Sequence, residues 1–85
     1  MAEVRIGYVK DYFAKVGVAA IEITEGQLTV GDTIHIKGHT TELTQRVDSI
    51  QLEHQSLQRA ESGQLIGIKV RERVRQHDQV LKVTE

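Results

Sequence analysis

Lys69, Arg71, Arg73 and Arg75 stand at alternate positions and form the densest run of charge in this 85-residue sequence. Ile66, Ile68, Val70 and Val74 occupy the intervening parity. Successive side chains of an extended chain point to opposite faces, so one strand would carry a core face and a cationic face. A cationic face can meet phosphates or an acidic protein patch. It can equally be a solvated outer face whose long basic side chains discourage edge-to-edge pairing. Glu72 falls on the apolar parity and is expected to mark where the strand leaves its sheet. Tyr12 and Phe13 are the other candidate contacts. An adjacent aromatic pair can stack on a base, or it can send one ring into the core and cover an end of the fold with the other.

Other constellations point to simpler readings. Gly26 to Thr33 has the glycine spacing of a phosphate-binding loop, but Asp32 stands where the lysine is required and would repel phosphates, so two turns are expected and no bound nucleotide. His35 and His39 lie about 13 Å apart on an extended chain, and neither cysteine nor a His-x-His pair supports a metal. Solvated or rim histidines are expected at His35, His39, His54 and His77. No serine lies in a G-x-S-x-G context, and no carboxylate pair sits in apolar surroundings that would split its pKa values. No catalytic residue and no cofactor is expected.

Bulk properties narrow the classes further. Eleven Lys and Arg against twelve Asp and Glu leave a formal charge of −1, so any binding of nucleic acid must be local. Without cysteine the domain depends on its apolar core alone, which suits a reducing cytoplasm. The longest apolar and glycine run, Val16 to Ile21, is far short of a membrane span. A cytoplasmic protein with no membrane contact is expected.

These residues need a sheet to position them. Val4 and Ile6 begin a strand that Gly7 interrupts with a bulge or kink. A hairpin turn is expected within Tyr12 to Gly17, followed by a buried strand to Ile23. Turns at Glu25-Gly26 and Val30-Gly31-Asp32 bracket a short segment; Ile34 and Ile36 then alternate with polar residues. Leu43 and Val47 share one parity and Ile50 and Leu52 the other, as a bulge at Asp48-Ser49 would produce. Glu53 to Ser62 is expected to be a surface loop with a single helical turn at Leu57 and Ala60. The basic strand follows, then a turn at Gln76-His77-Asp78 and a last strand through Val80 and Val83. No apolar stripe of helical period runs beyond two turns. The expectation is one all-β domain over residues 1–85, a small closed antiparallel β-barrel of six or seven strands.

Three motifs give this barrel a family resemblance. Val30-Gly31-Asp32-Thr33-Ile34, Ala60-Glu61-Ser62-Gly63-Gln64-Leu65-Ile66-Gly67 and Asp78-Gln79-Val80-Leu81 resemble, in order and spacing, the second domain of translational GTPases such as elongation factor Tu. Tyr12 to Ala19, Lys37 to Thr41 and Gln45 to His54 further resemble short free-standing elongation-factor-like proteins. They are also similar to the C-terminal barrel of the collagenase-like peptidase family, whose members have been linked to RNA hydroxylation. The resemblance implies a non-catalytic translation-factor-type barrel that contacts RNA or the ribosome through Lys69, Arg71, Arg73, Arg75, Tyr12 and Phe13. Its alternative implication is an accessory module docked on a larger protein, such as a peptidase or RNA-modifying enzyme. The sequence contains no GTPase motifs, so GTP hydrolysis is not implied. Where the family contacts the tRNA end with an arginine, this sequence reads Leu52-Glu53-His54-Gln55. Gln64 replaces a usual aspartate, and His77 a usual glycine.

Overall fold

The computed structural model describes residues 2–84, and those residues form strands, turns and bends without a helix. Ten strands run in chain order: β1 (Ala2–Phe13), β2 (Val18–Ile23), β3 (Gln27–Thr29), β4 (Thr33–Lys37), β5 (Glu42–Arg46), β6 (Ile50–Leu52), β7 (Gln55–Leu57), β8 (Arg59–Glu61), β9 (Leu65–Lys69) and β10 (Gln79–Thr84). Eight make one sheet in the order β5-β4-β10-β1-β2-β9-β6-β7, and β3 pairs with β8. All pairings are antiparallel.

The all-β expectation holds, but the count is ten strands rather than six or seven, and the ladders do not close into a barrel. Strands β5 and β7 are the edges of the main sheet. The undercount has a physical source. Strands of three residues show too little alternation to register as a period. The expected helical turn near Leu57 is replaced by β7 and β8. The parity switch at Asp48-Ser49 is a crossing rather than a bulge, because it carries the chain from one edge of the sheet to the other side, from β5 to β6.

Alternation sets the core. Ala19, Ile21 and Ile23 of β2 face inward with Ile66 and Ile68 of β9, joined by Ile34, Ile36, Val47, Ile50 and Val80. The register shift between Arg5 and Gly7 is the anticipated bulge, and a second shift lies between Val9 and Asp11. Together they let one long strand pair β10 with its first half and β2 with its second.

The open circuit is bridged by a side chain. Gln45 of β5 is only 4% exposed. Its Nε2 donates to the Lys69 carbonyl at 2.8 Å, and its Oε1 accepts from the Arg71 amide at 2.9 Å. One primary amide thus does what a pair of peptide groups does in a ladder, joining edge strand β5 to the last residue of β9 and the chain just beyond it.

Candidate functional site

The alternating cations do not form one stripe. β9 ends at Lys69, and Val70 to Asp78 is a loop leading to β10. All four basic side chains are exposed, but they separate. Arg71 folds back so that its guanidinium donates to the Thr44 carbonyl at 3.0 Å. Lys69 lies on the outer face of β9, opposite Val18. Arg73 and Arg75 flank Val74, which is buried and pins the loop. Glu72 sits in a bend outside the strand, as its place on the apolar parity suggested.

Tyr12 and Phe13 also part company. Tyr12 pairs with the buried Ala19 and packs against the core, while Phe13 pairs with Val18 and faces outward. The Tyr12 ring is half-buried against the core, and Phe13 remains 50% exposed. The six candidate residues therefore separate: Phe13 lies on one surface, Tyr12, Arg73 and Arg75 on a second, and Lys69 and Arg71 on neither.

The first surface is apolar and lies on the outside of β2 and β9. Phe13, Val18, Ala20, Leu65 and Gly67 line a shallow depression, with Gln51, Glu53 and His54 on its rim. The register explains its shape: Ala20 stands opposite Gly67, and Gly67 stands opposite Gln51, so the floor carries almost no side chain. Beside it, Val16 is 58% exposed and Leu65 45%. Val16 reaches the surface because residues 14–17 form the tight turn between β1 and β2, with the Gly17 amide donating to the Phe13 carbonyl at 2.9 Å. At the rim, Glu53 and His54 connect β6 to β7 with φ of 50° and 69°. A two-residue hairpin turn with both φ values positive normally takes asparagine or glycine. Non-glycine residues held there store strain, a feature that clusters where a surface has work to do.

The second surface is a basic groove at one end of the sheet. Asp11, Tyr12, Arg73, Arg75 and His77 line one compartment. Lys37, His39 and His77 line the next, so His77 joins the two. The loop is held by its own backbone. His77 takes the left-handed φ of 75° where the resemblance implies a glycine, its amide donates to the Val9 carbonyl at 2.8 Å, and the Asp78 carbonyl accepts from the Val9 amide at 2.8 Å. Asp78 is buried, and its Oδ2 accepts from the Arg75 amide at 2.8 Å. Gly38 makes room for that carboxylate, since a Cβ there would overlap it. Gly38→Ala is therefore expected to expel the Asp78 cap and lower stability by about 1–3 kcal/mol, measured by urea unfolding.

Sequence reasoning missed Lys37, His39 and His77 as groove residues, because Tyr12, the Lys37–His39 segment and His77 lie at least 25 positions apart along the chain and show no shared motif. It also placed His35 at a solvated rim. His35 is instead 9% exposed on the outer face of β4. Its Nδ1 lies 2.8 Å from Glu3 Oε2, and its Nε2 lies 3.4 Å from Glu42 Oε2. The two carboxylates face opposite ring nitrogens, an arrangement that orients the ring rather than chelating an ion. No metal-holding cluster of three or more histidine, aspartate or glutamate residues occurs among the described residues. Among the same residues no helix is long and apolar enough to cross a membrane.

Comparison with known proteins agrees with the topology. Residues 17–77 match the family model described as elongation factor Tu domain 2. A collagenase of Porphyromonas gingivalis is 43% identical over 72 residues, which is 84% of this chain and 20% of that protein. An uncharacterised protease of Methanocaldococcus jannaschii is 37% identical over 84 residues, 98% of this chain and 20% of that protein. The chain spans about a fifth of the length of these curated relatives. The C-terminal domain of a Geobacillus thermoleovorans protein assigned to the U32 peptidases superposes with a TM-score of 0.86 at 22% identity, covering 96% of this chain and 93% of that domain. At that identity the likeness is one of fold.

Proposed function

We propose that this chain, which belongs to the elongation factor Tu domain 2 family, is a non-catalytic accessory module that docks on the body of a larger, peptidase-type enzyme. The observation that carries this reading is the apolar outer face of β2 and β9. Phe13, Val16 and Leu65 are each about half exposed although the core beneath them is complete. Contiguous apolar surface of this kind marks an interaction site. The occupant follows from length: the relatives devote about four-fifths of their chains to something other than this domain, so the same face has a large body available to cover it. Of the chain's 5495 Å² of accessible surface, a standard interface of about 800 Å² per partner would use the outside of a few strands.

The test uses a homologue of the Porphyromonas gingivalis collagenase from the same organism as this chain, expressed without the segment that matches it. Calorimetric titration is expected to show micromolar or tighter binding. Phe13→Asp combined with Leu65→Asp should weaken it by roughly a hundredfold or more, because each side chain contributes about 1.5–3 kcal/mol when fully buried. Val4→Asp, at an exposed position away from the depression, should leave the affinity unchanged. Equal binding by the Phe13/Leu65 double variant and the parent would refute the assignment of this face.

A further inference from the structure

We infer that the element of the larger enzyme that seats on this domain is a protein segment presenting an apolar side chain and, about 7 Å from it, a carboxylate. The apolar side chain covers the floor at Ala20 and Gly67, and the carboxylate meets Lys69. This rests on the docking reading above and adds the partner's chemistry to it.

Continuity is the first argument. Just outside the apolar depression lies a smaller recess lined by Val16, Val18, Ser49, Gln51, Gly67 and Lys69. It shares Val18, Gln51 and Gly67 with the depression, so the two run together as one trough along the outside of β9. The register orders what lies in it. Gly67 stands opposite Ala20 on one side and Gln51 on the other, and Lys69 stands opposite Val18. Leu65 is thus the apolar end of the trough and Lys69 the cationic end. An apolar patch with a polar margin is the ordinary anatomy of a protein interface.

Charge is the second. Lys69 is exposed and makes no ion pair among the described residues, whose pairs involve Lys10, His35 and Arg59 only. No carboxylate lines the recess around it. The acidic side chains of this side of the sheet lie elsewhere. Glu53 is on the rim of the depression, and Glu22 stands opposite Leu65 with its Oε1 3.8 Å from Lys10 Nζ. Asp11 lines the basic groove, and Asp48, although next to Ser49 in the chain, lines neither part of the trough. A partner carboxylate is therefore favoured at the Lys69 end over the Leu65 end.

Spacing is the third. Positions 67 and 69 share one face of β9 and lie about 7 Å apart at roughly 3.4 Å per residue. An extended segment laid over the sheet repeats its own same-face side chains at that interval. The Lys69 backbone is also fixed, its carbonyl accepting from Gln45 Nε2 at 2.8 Å, so the cation projects from an ordered position.

Carbodiimide coupling of this chain to the peptidase body described above tests the inference, because the reagent joins an amine to a carboxylate lying against it. Mass spectrometry is expected to find Lys69 linked to an aspartate or glutamate of the body. Lys69→Arg keeps the charge but not the amine, so it should lose that link and bind as tightly as the parent. Lys69→Glu should weaken calorimetric binding at least tenfold through like-charge repulsion at the contact. Lys37→Glu, on β4 and outside the trough, should change the affinity little. Gly67→Leu should weaken binding at least tenfold by filling the floor, where even a Cβ would stand 3.3 Å from Val18 Cγ1. Its thermal midpoint, measured alongside, shows that it folds. Binding that falls in the Phe13→Asp, Leu65→Asp double variant but not in Lys69→Glu would overturn the carboxylate assignment and leave the docking face standing. Links to the body from other lysines with none from Lys69 would overturn it as well. Failure of the parent chain to bind the body would remove the docking reading and this inference together.

Discussion

Gln45→Leu is expected to lower the unfolding free energy by about 2–4 kcal/mol, measured by urea denaturation. Leucine fills a similar volume but offers neither donor nor acceptor, so the Lys69 carbonyl and the Arg71 amide both lose their partner. Each hydrogen bond contributes about 1 kcal/mol, and each polar group left buried without a partner costs about 1–3 kcal/mol. A loss of that size is a large share of the roughly 5–15 kcal/mol that holds a domain folded. Strand β5 would become a true free edge, and Arg71 would lose the backbone anchor that directs its guanidinium to Thr44. Faster amide exchange across Glu42 to Arg46 should accompany the lower midpoint.

Gly7→Ala is expected to be at least as damaging, for a different reason. A Cβ at position 7 would overlap the Glu22 carbonyl oxygen and come within 3.0 Å of its carbon and 3.2 Å of the Ile23 Cα. All three are backbone atoms, so no rotamer change relieves the contact and β1 must separate from β2. Overpacking of this kind costs about 1–3 kcal/mol and more where the backbone must move. Gly63→Ala supplies the contrast, because an added Cβ there meets nothing within 4 Å, although its φ of 95° disfavours any side chain. Thermal unfolding of the two variants should place Gly7→Ala well below Gly63→Ala.

Several features of the molecule were legible in the residue pattern because they depend on local alternation or on a single turn. Ile66 and Ile68 are buried as their strand parity requires, Val70 and Val74 are buried from the loop that follows, and the bulge at Gly7 falls where the apolar period breaks. Asp32 serves the turn assigned to it, its Oδ2 accepting from the Thr29 amide at 2.9 Å. Gln64, in the place of a usual aspartate, preserves the turn chemistry through its Oε1, which accepts from the Glu61 amide at 2.8 Å.

What the pattern could not carry is assembly at a distance. The alternating cations were read as one face, but the strand ends at Lys69; beyond it the Arg71 guanidinium turns to the Thr44 carbonyl, and the Arg75 amide is held by Asp78. The basic groove joins Tyr12, the β4 end and the β9–β10 loop, three segments with no common motif. The turn at Glu53 and His54 was hidden because neither is a residue type that favours positive φ in a hairpin. Gln45 looked like one polar residue in a half-exposed strand, and its bridging role depends on the chain folding Lys69 and Arg71 against it.

The docking of this domain on a larger enzyme is tested most directly by methyl NMR of the labelled chain titrated with the peptidase body described above. The account predicts that the methyl groups of Val16, Val18 and Leu65 shift or broaden on addition of that body, while those of Val4 keep their positions. Unperturbed Val16, Val18 and Leu65 methyls at saturating partner, or perturbation confined to Val4, would contradict it.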